Sequence, residues 1–160
     1  MILYHGSNIE IDRIDLEKCN PYKDFGKGFY LTPLRSQAEN MAYRRTRITG
    51  EGQPVISAFS FDDSILDAGS LKVKIFPEPS VEWANFVLNN RDIQRVGFQH
   101  SYDIVVGPVA DDTVAFQLRR YLLGVIPLEL LVKELSYKSL NSQYYFGTEA
   151  AISKLIRIYE

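Results

Sequence analysis

Three stretches of the chain carry side chains suited to holding a polar ligand. In the first, the short apolar strand Ile2-Leu3-Tyr4 runs straight into His5-Gly6-Ser7. A histidine at a strand end, followed by glycine, can present its ring beside exposed backbone amides; it can equally serve only to tie the next loop together. The second is Asp24-Phe25-Gly26-Lys27-Gly28-Phe29-Tyr30-Leu31-Thr32. Gly26 and Gly28 permit positive φ and a close approach of backbone to a ligand. Phe29, Tyr30 and Leu31 have strand propensity. Thr32-Pro33 reads as a helix start, with threonine as the cap and proline at the first helical position. Loop, strand and helix start thus meet within about ten residues, a geometry that suits a nucleotide-sized ligand. A tight turn feeding a core strand has the same spacing and is the commoner use of short glycine motifs. The third stretch, Asn141-Ser142-Gln143-Tyr144-Tyr145-Phe146, begins polar and turns aromatic, which puts Gln143 at the opening of a strand.

Other polar clusters have plainer readings. Arg44, Arg45 and Arg47 crowd the end of an expected helix. They can touch phosphate, but cations also suit a solvated helix C-terminus. Asp111-Asp112 invites a metal or acid–base role; two acidic residues at a helix start are more often caps, and no ligand spacing supports a metal. His100 has no partner visible in the sequence and is assigned no role.

The elements that must position these residues can be read from periodicity. Residues 8–23 mix charges with isolated Ile and Leu and suggest a loop with at most a turn of helix. Residues 33–47 are helical, with Ala38, Met41 and Ala42 on a narrow apolar face. Residues 55–61 read as a strand with Val55, Ser57, Phe59 and Phe61 on one face. Residues 71–76 alternate Leu71, Val73 and Ile75 against Lys72 and Lys74, a half-exposed strand. Ser80 caps a helix over 81–89 that packs Trp83, Phe86 and Val87. Residues 102–109 are a strand of the kind buried on both faces, ended by Gly107-Pro108. A helix over 113–123 turns Val114, Leu118, Tyr121 and Leu122 inward and stops at Gly124. A short helix covers 127–135, and a helical turn from Thr148 leads into a last strand over 154–159. Short strands with helices among them suggest an α+β domain of two small sheets rather than a regular βαβ series.

Composition sets the outer bounds. At 160 residues the chain suits a single domain over 1–160. A hydrophobic share of 46% and a charged share of 24% are ordinary for a soluble globular protein. A net charge of −2 argues against bulk attraction to nucleic acid. Cys19 is the one cysteine, so no intrachain disulfide can form and a cytoplasmic setting is expected. No apolar run approaches the roughly 18 residues of a membrane span, and the N-terminus lacks the pattern of a signal peptide.

Taken in order, His5-Gly6-Ser7, Phe25-Gly26-Lys27-Gly28-Phe29-Tyr30 and Asn141-Ser142-Gln143-Tyr144 resemble the ADP-ribosyltransferase domain of the poly(ADP-ribose) polymerase and diphtheria-toxin type. The middle segment, followed by an alanine-bearing helix, is the nearest match. Over nearly its full length the chain also looks like an uncharacterised bacterial family of such domains, with an Asp-Phe-Gly-Lys-Gly-Phe-Tyr segment and a late Tyr-Asp-Ile-Val-Val-Gly-Pro strand.

The resemblance implies a split β-sandwich of two small, mostly antiparallel sheets with flanking helices and an NAD cleft between them. It implies that His5 bonds the adenosine-side ribose and that Tyr30 stacks on the nicotinamide. The Gly6 backbone would hold the carboxamide and Ser7 would be among the cofactor-binding residues, with Gly26, Lys27 and Gly28 near the ring or diphosphate and Gln37 in place of a small polar residue that bonds the carboxamide. Active relatives place a glutamate where this chain has Gln143, a change that keeps a hydrogen bond and loses a charge. Glu149, just past that strand, is an alternative acidic group. The implied activity is NAD-dependent mono-ADP-ribosyl transfer to a protein, nucleic-acid or small-molecule acceptor, with NAD as donor and no metal. A toxin or effector role, with an antitoxin partner, belongs to the same expectation. The alternative is a catalytically inactive NAD- or nucleotide-binding module.

Overall fold

Alternation of side chains across one sheet generates two cores. In the computed structural model, which describes residues 1–136 and 141–159, the strands are β1 (Ile2–Ser7), β2 (Phe29–Leu31), β3 (Val55–Phe61), β4 (Val73–Ile75), β5 (Ile104–Pro108), β6 (Ser142–Phe146) and β7 (Leu155–Ile158). The helices are α1 (Arg35–Thr49), α2 (Val81–Arg91), α3 (Asp112–Leu122), α4 (Leu128–Ser136) and α5 (Glu149–Ile152). The first sheet has the order β1-β3-β7 and is antiparallel throughout. The second has the order β2-β6-β5-β4, antiparallel except for the parallel pair β4 and β5. This is the α+β arrangement of two mostly antiparallel sheets expected from the sequence.

On the second sheet, Phe29, Leu31, Ile104, Val106 and Phe146 face the first sheet and meet Leu3, Phe59 and Phe61. The intervening residues Val105 and Tyr145 face the opposite way, into a core built on Trp83, Val114, Leu118 and Leu131 from α2, α3 and α4. Every residue of β5 is buried, as a strand covered on both faces requires. Trp83 is fully buried, and its indole N–H donates to the Pro108 carbonyl at 3.3 Å, so its polar edge is satisfied.

Helix α1 lies on the other face of the first sheet. A Cβ on Gly6 would come within 1.9 Å of the Ala38 carbonyl oxygen, so the helix rests directly on the β1 backbone. Ala38 and Ala42, one helical turn apart, make that close approach possible and are both buried. Met41, expected on this face, is instead 53% exposed. The two small alanines and a glycine leave the thicker methionine side chain no place between helix and sheet.

Several boundaries differ from expectation. Helix α1 begins at Arg35 rather than Pro33, with Leu34 at the cap position and no side-chain cap bond. Thr32 still receives the Leu34 N–H on its Oγ1 at 3.1 Å, so it acts one step before the helix. Strand β4 shrinks to three residues; Ile75 is exposed and Phe76 is buried beneath α2. Leu122, expected inward, is 67% exposed at the end of α3. The Ser80 and Asp111 caps stand as read: their side chains accept from the Trp83 and Val114 N–H groups at 3.1 and 2.9 Å.

Candidate functional site

Among the described residues, one backbone bridge links the two sheets, between Tyr4 of β1 and Thr32 just after β2. Tyr4 N donates to Thr32 O at 2.8 Å, and Thr32 N donates to Tyr4 O at 2.9 Å. The polar residues singled out in the sequence gather around this junction.

His5 is the next residue of β1. Its Nδ1 lies 2.8 Å from the Tyr30 carbonyl oxygen, and its ring stacks on Phe29 at 4.4 Å between centroids. A carbonyl only accepts, so Nδ1 carries the proton and Nε2 presents a lone pair. Burial lowers the imidazole pKa below its usual value; the bond to Tyr30 opposes that shift and the Arg45 charge adds to it. The neutral ring with an acceptor at Nε2 is therefore the favoured form. Gly6 is committed to the contact with α1, and Ser7 is buried, its Oγ 3.4 Å from the Asn8 side-chain oxygen.

The glycine loop is locked from within. The Tyr30 hydroxyl donates to the Gly26 carbonyl at 2.7 Å and accepts the Phe25 N–H at 2.9 Å. Burial raises the phenol pKa well above the usual value. Edge-on to the Tyr30 ring stands Tyr145, at 5.3 Å, and the Tyr145 hydroxyl donates to the Lys27 carbonyl at 2.9 Å. Gly26 has φ +90, and a Cβ there would lie 2.9 Å from the Asn90 side-chain oxygen. Gly28 needs no positive φ; a Cβ there would strike the Tyr145 ring at 2.2 Å. The close approach made by Gly28 is thus to the protein's own core. Lys27 is exposed and lies 3.7 Å from Glu17.

Gln37, in the first turn of α1, accepts from Thr32 Oγ1 at 2.7 Å, which ties it to the junction. Gln143 opens β6, two positions from Tyr145, the partner of Tyr30. Its Nε2 donates to Asp24 Oδ2 at 2.9 Å and to the Pro108 carbonyl at 3.3 Å. Asp24 is the one buried charged residue among those described. Its Oδ1 accepts from Arg91 Nε at 2.7 Å, with Arg91 Nη2 at 2.5 Å.

The structure therefore brings His5, Tyr30, Thr32 and Gln37 together, and places Gln143 on the adjoining strand. Among the described residues no hydrogen bond joins His5 to Gln143. Glu149, weighed as a substitute acid, lies exposed in the first turn of α5. Asp24 and Arg91 are the residues the sequence did not assign. Asp24 stood inside the glycine motif, whereas Arg91 carried only the ordinary signature of a cationic helix end. His100, given no role, has two partners. Its Nδ1 accepts from Tyr102 N at 3.1 Å, so Nε2 carries the proton and donates to the Phe25 carbonyl at 2.6 Å. Burial lowers its pKa.

Two hollows stand out among the described residues. One of about 390 Å³ sits at the end of α1 against Tyr43, Thr46, Arg47 and Pro54. Another of about 170 Å³ lies against the glycine loop itself, lined by Gly26 and Lys27 together with Asn90, Arg95, His100 and Tyr145. Arg44, from the basic cluster, lies 3.7 Å from Asp112.

The family model described as a protein of unknown function, DUF3990, matches residues 1–156. The chain belongs to this family. No curated protein and no solved structure matches the chain. The matched span takes in β1, the glycine loop, α2 and β6, so every residue of the junction falls within the DUF3990 domain. No described helix is long and apolar enough to cross a membrane.

Proposed function

We propose that this chain has an ADP-ribosyltransferase-like split sandwich, binds NAD where the two sheets part, and transfers a single ADP-ribose to an acceptor. The observation that carries the reading is that two acceptor atoms near the junction, one from each sheet, have no hydrogen-bond partner among the described residues. His5 Nε2 has its lone pair free because Nδ1–H is held by Tyr30. Gln143 Oε1 is free because Nε2 is held by Asp24 and Pro108. Two acceptors, one from each sheet, would complement hydroxyl donors, as a dinucleotide with two riboses supplies.

Gln37 and the backbone of the Gly6 segment would face the carboxamide end, and the Tyr30 ring would flank the nicotinamide. In the transfer, the bond from ribose C1′ to the nicotinamide nitrogen breaks and its electron pair leaves with nicotinamide. A nucleophilic atom of the acceptor bonds C1′ and gives up its proton. Positive charge develops on the sugar, as in glycoside cleavage. Gln143 offers that charge the negative end of an amide dipole, with the Asp24 carboxylate behind it.

A second reading is favoured by the same residue. Gln143 carries no charge, so the site also suits a module that binds NAD without cleaving it. Incubation with NAD labelled in the ADP-ribose part, in the presence of cell extract, separates the two. Released nicotinamide and labelled acceptor are expected for the transferase; binding measured by calorimetry without either product supports the module. Absence of NAD binding would overturn both.

A further inference from the structure

Asp24 and Gln143 are 119 positions apart in the chain, yet their side chains meet at 2.9 Å beside the junction. We propose that Asp24, clamped by Arg91, is a positioning residue that turns the Gln143 amide so that its carbonyl oxygen meets the ligand, and that the site is thereby built for glutamine rather than for a carboxylate. The ligand in that statement rests on the NAD reading above; the orientation of the amide does not.

Chemistry fixes the orientation. Asp24 Oδ2 and the Pro108 carbonyl oxygen both face the same terminal atom of Gln143. Both are acceptors at that contact, so the atom between them must be the NH2 nitrogen, and its two protons are used there. Oε1 has no partner among the described residues. No buried side-chain nitrogen or oxygen among them lacks one, so Oε1 reaches the accessible rim.

Asp24 is held just as firmly. Oδ2 also accepts the Ala110 N–H at 3.0 Å, while Oδ1 takes Arg91. Arg91 reaches on towards the Ala110 carbonyl, with Nη2 3.4 Å from it. The carboxylate cannot turn without releasing either the guanidinium or the two N–H donors. This clamp joins the glycine loop, the end of α2, the chain after β5 and the start of β6. A glutamate at 143 would set an oxygen against Asp24 Oδ2 at the same distance, acceptor facing acceptor. It would have to bind a proton or swing away. The glutamine is therefore not a glutamate that has merely lost its charge, and Gln143→Glu alone will not raise transferase activity.

The full chain is compared as wild type, Gln143→Glu, Asp24→Asn and the double variant in thermal melts between about pH 5 and about pH 8. Gln143→Glu should melt several degrees below wild type at the alkaline end. A carboxyl that holds its proton more tightly in the folded chain loses stability as pH rises, so this gap should narrow towards the acid end. In the double variant the NH2 of the substituted asparagine can donate to the new carboxylate on β6. Its loss at the alkaline end should be smaller than the two single losses combined. Equal melting of Gln143→Glu and wild type at every pH, or simple additivity, would overturn the proposal.

A measurement on the wild type stands even if Asp24→Asn fails to fold. The Gln143 side-chain amide protons, identified by their loss in Gln143→Met, should exchange with solvent more slowly than those of the other glutamines. Exchange at the rate of an exposed side chain would count against the clamp. In calorimetry Gln143→Glu should weaken NAD binding by roughly tenfold or more, the effect of turning a matched contact into an unmatched one. If the wild type binds no NAD, the nucleotide reading fails, while the melts and the amide exchange still decide the clamp.

Discussion

The imidazole of His5 is bonded through Nδ1 to the main-chain oxygen of Tyr30, 25 positions further along the chain. Beyond the Tyr4–Thr32 bridge, this side chain takes over from backbone pairing between the two sheets. It fixes the histidine tautomer and leaves the lone pair on Nε2.

The first prediction concerns acid. Burial lowers the pKa of His5 and of His100 from the ordinary histidine value of 6.5. For each ring the folded value lies below the unfolded one, so its contribution is complete above about pH 6.5 and is lost as pH falls through the folded value. Melting temperature should be level from about pH 7 upward and should drop on acidification. His100→Asn should make the drop shallower, and His5→Asn should do so too. An unchanged acid slope in the double variant would exclude the histidines as its source.

Tyr30→Phe removes one hydroxyl and leaves two backbone groups without their partner, the Phe25 N–H and the Gly26 carbonyl. The expected loss is about 1–3 kcal/mol in urea unfolding. Because the hydroxyl holds the glycine loop, exchange of the Phe25 amide should speed up more than that of amides in β3. A loss confined to a few tenths of a kcal/mol would show that water replaces the hydroxyl.

Gly6→Ala tests the contact between α1 and β1. The added methyl would overlap the Ala38 carbonyl oxygen, a backbone atom that no side-chain rotation can move. The helix must shift, at an expected cost of about 1–3 kcal/mol or more. Gln37 rides on the same helix, so under the proposed function NAD affinity should fall with stability in this variant. Wild-type melting would mean that α1 does not sit on β1 as described.

Ser80→Ala provides the contrast. The Ser80 side chain caps α2 at the Trp83 N–H, and its loss should cost about 1 kcal/mol. Arg91 lies at the other end of this helix, so ligand affinity should stay at the wild-type value while the melting temperature drops. A parallel fall in affinity would show that α2 moves as a rigid lever on Asp24.

Much of the scaffold was legible because strands announce themselves locally. The period of two in 55–61, the apolar run before Gly107-Pro108 and the polar-to-aromatic change at Gln143 all correspond to strands. What local pattern could not give was contact between distant segments. Met41 matched the helical period as well as Ala38 did, but the gap over Gly6 admits only small side chains. His100 has no partner nearby in sequence except Tyr102; its other partner, Phe25, is 75 positions away. Asp24 and Arg91 are separated by 67 positions and could be paired only by folding the chain. The same holds for Gly28, whose small size serves the Tyr145 ring rather than a nearby turn.

Among the described strands, β2 has β6 as its sole neighbour within its sheet. A ribosome must therefore reach β6, at Ser142–Phe146, before the second strand can be paired within its sheet. Until β6 emerges, Phe29 and Tyr30 have no sheet to join, and the nascent chain exposes an aromatic edge open to chaperones or to aggregation. Premature termination anywhere upstream of β6 leaves β2 with no strand partner inside its own sheet.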